Sequence, residues 1–211
     1  PFIDTTNVEC GLYTPHDGDV DPTMLTNAIA LEAKEYGATI TFETEVLDIQ
    51  VNKDIFELKT NKGDILQANS VVNAAGLWSK RFSKQLNMQQ SSKIIEHQYC
   101  ITEAIENITT ENRLPVLRDL QGSSYIRQEG QSLLIGPYEK DVVITNWDEP
   151  PSKFEWDLFQ PSIDRIETCL ESAMNLIPVL NNVGIKTIIN GPTVWTGDSL
   201  PRCGRTSIPN Y

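Results

Sequence analysis

The chain has 211 residues, 39% of them apolar and 22% charged, with 12 glycines and 12 prolines. That is enough apolar chain for one domain or two small ones, and it excludes a collagen, a coiled coil and a disordered polymer. With 29 acidic and 17 basic residues the formal charge is −12, so nucleic acid and anionic bilayers, which would repel it, are not expected partners.

No apolar stretch approaches the roughly 20 residues that span hydrocarbon, and no signal or transit peptide opens the chain. It starts at Pro1 in a polar segment and stops at Tyr211 after a turn-rich run, as expected of a piece of a longer protein. Cys10, Cys100, Cys169 and Cys203 are far apart and form no CxxC pair. They are expected to be reduced thiols packed as small hydrophobes, with no metal site.

The first element follows a turn-rich loop, Gly11 to Asp21. Asp21 is a natural N-cap and Pro22 suits the first helical position. Met24, Leu25, Ala28, Ile29, Ala33 and Tyr36 then fall on one stripe that is expected to be buried, and Gly37 ends the helix. Short strands are predicted at Thr39 to Phe42, Glu45 to Val51, Ile55 to Leu58 and Ile65 to Ala68, with a turn at Asn61-Lys62-Gly63. Their close spacing reads as an antiparallel meander. Ser70 to Gly76 reads as an apolar strand ending in small residues, where a backbone or ligand can approach closely.

Further strands are predicted at Lys93 to Thr102, Leu114 to Leu120, Ser123 to Arg127 and Ser132 to Tyr138. Pro161 to Leu176 places Ile163, Ile166, Cys169, Leu170, Ala173 and Met174 on one helical face. Gly184 to Asn190 is a last strand, and Gly191 to Tyr211 reads as turns. The class is α/β or α+β. The chain has no GxGxxG, P-loop, HExxH or GxSxG, so composition and spacing alone assign no chemistry.

Ordered blocks do. Gly11-Leu12-Tyr13-Thr14-Pro15, Asp17-Gly18, Asp21-Pro22, Thr44-Glu45-Val46, the run Val71 to Trp78, His97-Gln98-Tyr99, the run Leu114 to Arg118, Tyr125-Ile126-Arg127, Asn190-Gly191-Pro192, Thr196-Gly197-Asp198 and Leu200-Pro201 follow one another along the chain. In order and spacing they resemble the central part of the D-amino-acid oxidase and glycine oxidase family of flavoproteins, nearest its dimethylglycine and sarcosine dehydrogenases. The resemblance implies an α/β fold of mixed character, in which part of a Rossmann-like FAD-binding domain interleaves with an antiparallel-sheet substrate domain. Residues 1–16 would edge the substrate domain, 17–78 belong to the FAD domain, 79–189 to the substrate domain, and 190–211 return to the FAD domain. The family's dinucleotide fingerprint and its covalently flavinylated histidine would precede this segment. The segment alone is therefore expected to bind FAD poorly and to turn nothing over.

The implied reaction oxidises the N-methyl C–N bond of a secondary or tertiary amino acid, passing a hydride equivalent to flavin N5, with FAD as the cofactor. The implied partners are a small amine, an electron acceptor that is either electron-transfer flavoprotein or oxygen, and tetrahydrofolate only through a separate C-terminal domain. The implied location is the mitochondrial matrix in a eukaryote and the cytoplasm in a bacterium. His97 and Tyr125 match catalytic positions, an imidazole that titrates near neutrality and a phenol that hydrogen-bonds without adding charge. Arg127, two residues from Tyr125 in a strand, could fork onto a substrate carboxylate, although an ordinary ion pair is the commoner role for such a residue. Val46, Ala75, Gly76, Trp78, Gly191, Pro192, Leu200 and Pro201 match cofactor-binding positions. Gly197 stands where the family has proline, which loosens that loop. His16 reads as a solvated loop residue. Two alternatives stay open: an oxygen-using sarcosine or glycine oxidase, and a non-catalytic regulatory relative like the pyruvate dehydrogenase phosphatase regulatory subunit.

Overall fold

A computed structural model of the protein describes residues 2–111 and 113–211. The chain is mixed α and β with antiparallel sheets and divides into two compact units. The first comprises Pro1–Val20, Glu96–Val143 and Trp156–Pro192; the second comprises Asp21–Ile95, Ile144–Glu155 and Thr193–Tyr211.

The second unit opens with α1 (Pro22–Glu35). Asp21 caps it as expected, its carboxylate accepting from the Met24 N–H at 2.7 Å, and Gly37 follows with φ +90°. The meander follows as β1 (Val46–Asn52), β2 (Ile55–Thr60) and β3 (Ile65–Ala68), an antiparallel sheet in that order. Lys53 and Asp54, both at positive φ, make the tight turn between β1 and β2. Pairing slips between Val46 and Asp48, which leaves Leu47 as the extra residue of a bulge. The Leu47 carbonyl instead accepts from Gln85 Nε2 at 3.0 Å and Arg81 Nη2 at 3.3 Å. Both side chains come from α2 (Ser79–Gln85), which covers this edge strand and which the sequence pattern did not predict. Ile49, Phe56 and Tyr211 form the unit's core, with Phe82, Leu86 and Ile208 packed around it.

Two predicted strands of this unit are absent. Thr39 to Phe42 is irregular, because β-branched residues form a strand only where a neighbour completes the ladder. Ser70 to Ala75 is likewise not a strand, and Gly76 opens a 3-10 turn through Trp78. That stretch is tied by the Val71 N–H to the Asn210 carbonyl at 2.9 Å, and by Asn73 Nδ2 to Ser79 O at 2.9 Å and Tyr211 Oη at 2.8 Å.

The main sheet has the order β5-β6-β7-β4-β8. Its strands are β4 (Ser92–Thr102), β5 (Leu117–Asp119), β6 (Ser124–Glu129), β7 (Ser132–Pro137) and β8 (Ile185–Thr196). In the first unit, Cys100, Ile126, Leu133 and Ile135 face one side, where Ala173 of α3 (Glu167–Leu176), Ile177 and Leu180 close the core. Strand β5 is shorter than predicted because the Leu114 N–H bonds the Gln128 side chain, at 2.9 Å, instead of a ladder carbonyl. Helix α3 starts later than Pro161 for a similar reason. The buried Gln98 amide clasps the Ser162 backbone, giving 2.8 Å to its carbonyl and taking 3.1 Å from its N–H, so that peptide cannot join the helix. Strand β8 runs on through Gly191 and Pro192, where turns were expected. It lies at the sheet edge, where a proline without an N–H is tolerated. Cys100 and Cys169 are buried as expected, whereas Cys10 and Cys203 are exposed. No helix of the described residues is long and apolar enough to cross a membrane.

Candidate functional site on the open sheet face

Strand alternation decides which side chains gather in the first unit. Cys100 lies opposite Ile135, and Ile135 opposite Ile126, all on the core side. The residues between them therefore point to the other face. That face carries His97 and Tyr99 of β4, Gly136 of β7, and Tyr125 and Arg127 of β6. Arg118 of β5 lies directly opposite Tyr125, and Tyr125 opposite Gly136. Residues separated in sequence thus share one surface because the sheet is antiparallel.

Tyr125 is half-buried. Its ring lies across Gly136, where a Cβ would overlap ring carbons and the hydroxyl. A side chain at 136 would have to expel the phenol, so glycine is required here. The ring packs against Tyr138 at 5.7 Å between centroids, tilted by 51°. Burial pushes the Tyr125 pKa up, reinforced by Tyr138 and Tyr99 and opposed by the positive charges of Arg127 and Arg118. The phenol is thus held in its neutral form, and its hydroxyl has no hydrogen-bond partner among the described residues.

His97 has Nδ1 3.8 Å from Glu139 Oε1, and its side chain is 33% exposed while that of Glu139 is 1% exposed. Glu139 also accepts from the Gln98 N–H at 3.2 Å and from Arg165 Nε at 2.8 Å. Arg165 Nη1 reaches Glu96 at 2.7 Å, and Glu96 takes a second bond from Asn190 at 2.8 Å. A largely buried cation thus holds two carboxylates, one of which stands beside the imidazole. Arg127 is occupied: its Nη1 is 3.2 Å from Asp19 and its Nη2 2.9 Å from Glu129. Asp19 also pairs with Arg113.

The expected cofactor positions fall in both units. In the second, Val46 begins β1 beside the bulge. Gly76 has φ +51°, and a Cβ there would meet nothing within 4 Å, so its backbone is bare as approach by a flat ring system requires. Ala75 donates its N–H to Asn73 Oδ1 at 3.3 Å, and the Trp78 ring lies 6.3 Å from Phe154. Leu200 and Pro201 are exposed in the terminal loop. In the first unit, Gly191 and Pro192 are half-buried on β8, where a Cβ at Gly191 would make only an ordinary 3.7 Å contact with Leu158. Open backbone and small side chains at Ala75 and Gly76 fit a flavin. His16 is exposed. Among the described residues no three His, Cys, Asp or Glu side chains gather as a metal would need.

Tyr99, Arg118, Gly136, Tyr138 and Glu139 were not singled out as site residues from sequence. Alternation from His97 could have found Tyr99. The others depend on cross-strand register, which no local pattern encodes.

This fold is that of a flavin-dependent oxidoreductase. L-proline dehydrogenase from P. horikoshii superposes with a TM-score of 0.75 at 26% identity, over 93% of this chain and 50% of that one. The profile of the DAO family, described as FAD dependent oxidoreductase, matches residues 1–211, and the chain belongs to that family. It is 37% identical to dimethylglycine dehydrogenase, mitochondrial, of Mus musculus, over 100% of this chain and 25% of the relative. It is 32% identical to sarcosine dehydrogenase, mitochondrial, of Homo sapiens, over 97% and 22% respectively. The chain thus spans about a quarter of the length of these curated relatives.

Proposed function

We propose that the protein is an enzyme that oxidises the N-methyl C–N bond of a secondary or tertiary amino acid, of the dimethylglycine or sarcosine type. The observation that carries this reading is the shared sheet face of His97 and Tyr125, in a chain that resembles the dehydrogenases of those two amines along its whole length. FAD, when bound, supplies the acceptor for the hydride equivalent. Val46, Ala75, Gly76, Trp78, Gly191, Pro192, Leu200 and Pro201 are, by the resemblance, the residues that would hold it.

The chain's own residues set the state of the amine. A protonated amine has no lone pair to assist C–H cleavage, so the site must favour the neutral form. Tyr125 Oη, neutral and unpaired, can hydrogen-bond the amine without adding charge. His97, with Nδ1 3.8 Å from Glu139, has its other ring nitrogen available to take a proton from the substrate. Arg127 would have to exchange Asp19 or Glu129 to meet a substrate carboxylate. By the same resemblance, residues 17–78 and 190–211 have the FAD-binding role and residues 1–16 and 79–189 the substrate role, and the protein would work in the mitochondrial matrix of a eukaryote or the cytoplasm of a bacterium. Electrons would pass to electron-transfer flavoprotein or to oxygen, and tetrahydrofolate would act only through a separate domain.

Anaerobic mixing of the full-length flavoprotein with dimethylglycine or sarcosine tests this. Bleaching of the flavin absorbance, slowed at least tenfold by Tyr125→Phe or His97→Gln, is expected. A flavin that stays oxidised with every N-methyl amino acid would overturn the reading and favour a non-catalytic regulatory role.

A further inference from the structure

We propose that Arg118 is the anchor for the carboxylate of the amino-acid substrate. This rests on the amine-oxidation reading and adds to it the residue that selects amino acids over plain amines.

The arginines near this sheet face differ in what they already hold. Arg127 is paired with Asp19 and Glu129, and Arg113 with Asp19. Arg118 is exposed, and among the described residues no carboxylate lies within ion-pair distance of it. Its one described hydrogen bond runs from Nη1 to the Tyr138 hydroxyl, at 2.6 Å. A guanidinium carries five N–H donors in a planar fork. A hydroxyl oxygen on one of them steers the fork without placing a carboxylate against it, and leaves donors for a second ligand.

Its placement is set by register. Arg118 stands directly across from Tyr125, and directly opposed residues of an antiparallel pair hold their Cβ atoms about 4.5–5.5 Å apart. Tyr138 links the two, accepting a hydrogen bond from Arg118 through its hydroxyl and packing against Tyr125 through its tilted ring. A guanidinium with no carboxylate partner and a phenol with no hydrogen-bond partner among the described residues thus lie on adjacent strands of one surface. A small ligand that carries both a carboxylate and an amine could meet the two from this one face. In a chain with a formal charge of −12, an unneutralised guanidinium at this point also opposes the general repulsion of anions.

The test compares dimethylglycine with its uncharged amide, dimethylglycinamide, as reductants of the full-length flavoprotein. In the wild type the acid should have the higher kcat/KM. In Arg118→Gln the acid-to-amide ratio should fall between about tenfold and a hundredfold, as expected for loss of a charge-assisted pair, mainly through the KM of the acid. Tyr138→Phe, which frees the fork but keeps its charge, should lower the ratio by less, and it carries the test if Arg118→Gln does not retain flavin. An unchanged ratio in a variant that keeps its flavin overturns the anchor and leaves amine oxidation standing. A wild-type protein whose flavin is reduced by neither compound nor by sarcosine overturns both.

Discussion

Helices α1 and α3 are held by opposite means. Helix α1 has Asp21 on its first turn, Pro22 at its start and Gly37 behind it, yet none of its residues is buried, and Met24, Ile29 and Leu31 are more than half exposed. Helix α3 has no side-chain cap, but Cys169 and Ala173 are buried. The first is specified by local hydrogen bonding and the second by burial in a core. Local signals can make a helix, but they do not say what it packs against.

The largest expected effect lies on the buried side of this contrast. Arg165→Ala leaves Glu139 and Glu96 without their cation and should cost about 3–5 kcal/mol, read as a lower urea midpoint with an unchanged slope. A loss below 1 kcal/mol would show that the network is solvated. Next is Gly136→Ala, where the added methyl must displace the Tyr125 ring and should cost about 1–3 kcal/mol. It should also slow flavin reduction, and full activity would detach Tyr125 from the reaction.

Burial pushes the Cys100 thiol up to about 11 from its ordinary 9.0. Between those values the unfolded thiol loses its proton while the folded one keeps it. The stabilising contribution is therefore complete below pH 9 and is lost as pH rises toward 11, by at most about 1.4 kcal/mol per pH unit. Urea midpoints at rising pH should fall less steeply in Cys100→Ala, and identical slopes would refute the assignment.

On the locally held side, Asp21→Ala removes the cap and should cost about 1 kcal/mol, mostly as lost helical circular dichroism. The smallest effect is expected from Ile29→Lys, which should stay within about 0.5 kcal/mol because Ile29 is 57% exposed here. A larger loss in the full-length protein would mean that α1 is covered there by something outside this chain.

The candidate site was read by another route than α1, from a resemblance and not from local caps. His97 and Tyr125 sit in blocks whose order along the chain resembles a known family, and the i+2 step from Tyr125 placed Arg127 on its face. Arg118, Gly136 and Tyr138 were not legible as a group. Their relation to Tyr125 is a matter of which strands pair and in what register. The two missing strands fail for a related reason: Thr39 to Phe42 has strand chemistry, but a strand exists only when its ladder is completed.

The amino-acid sequence alone determined where α1 begins and ends, the meander and its turns, and the ordered blocks that mark an FAD-dependent family. Caps, turn residues and alternation act over a few neighbours and can be read one residue at a time. Tertiary structure decided where α3 starts, how far β8 runs, that Arg127 meets carboxylates while Arg118 meets a tyrosine hydroxyl, and that a tyrosine needs a glycine beneath it. Each of those depends on hydrogen bonds and steric contacts between segments tens of residues apart, and such contacts exist only once the strands have paired.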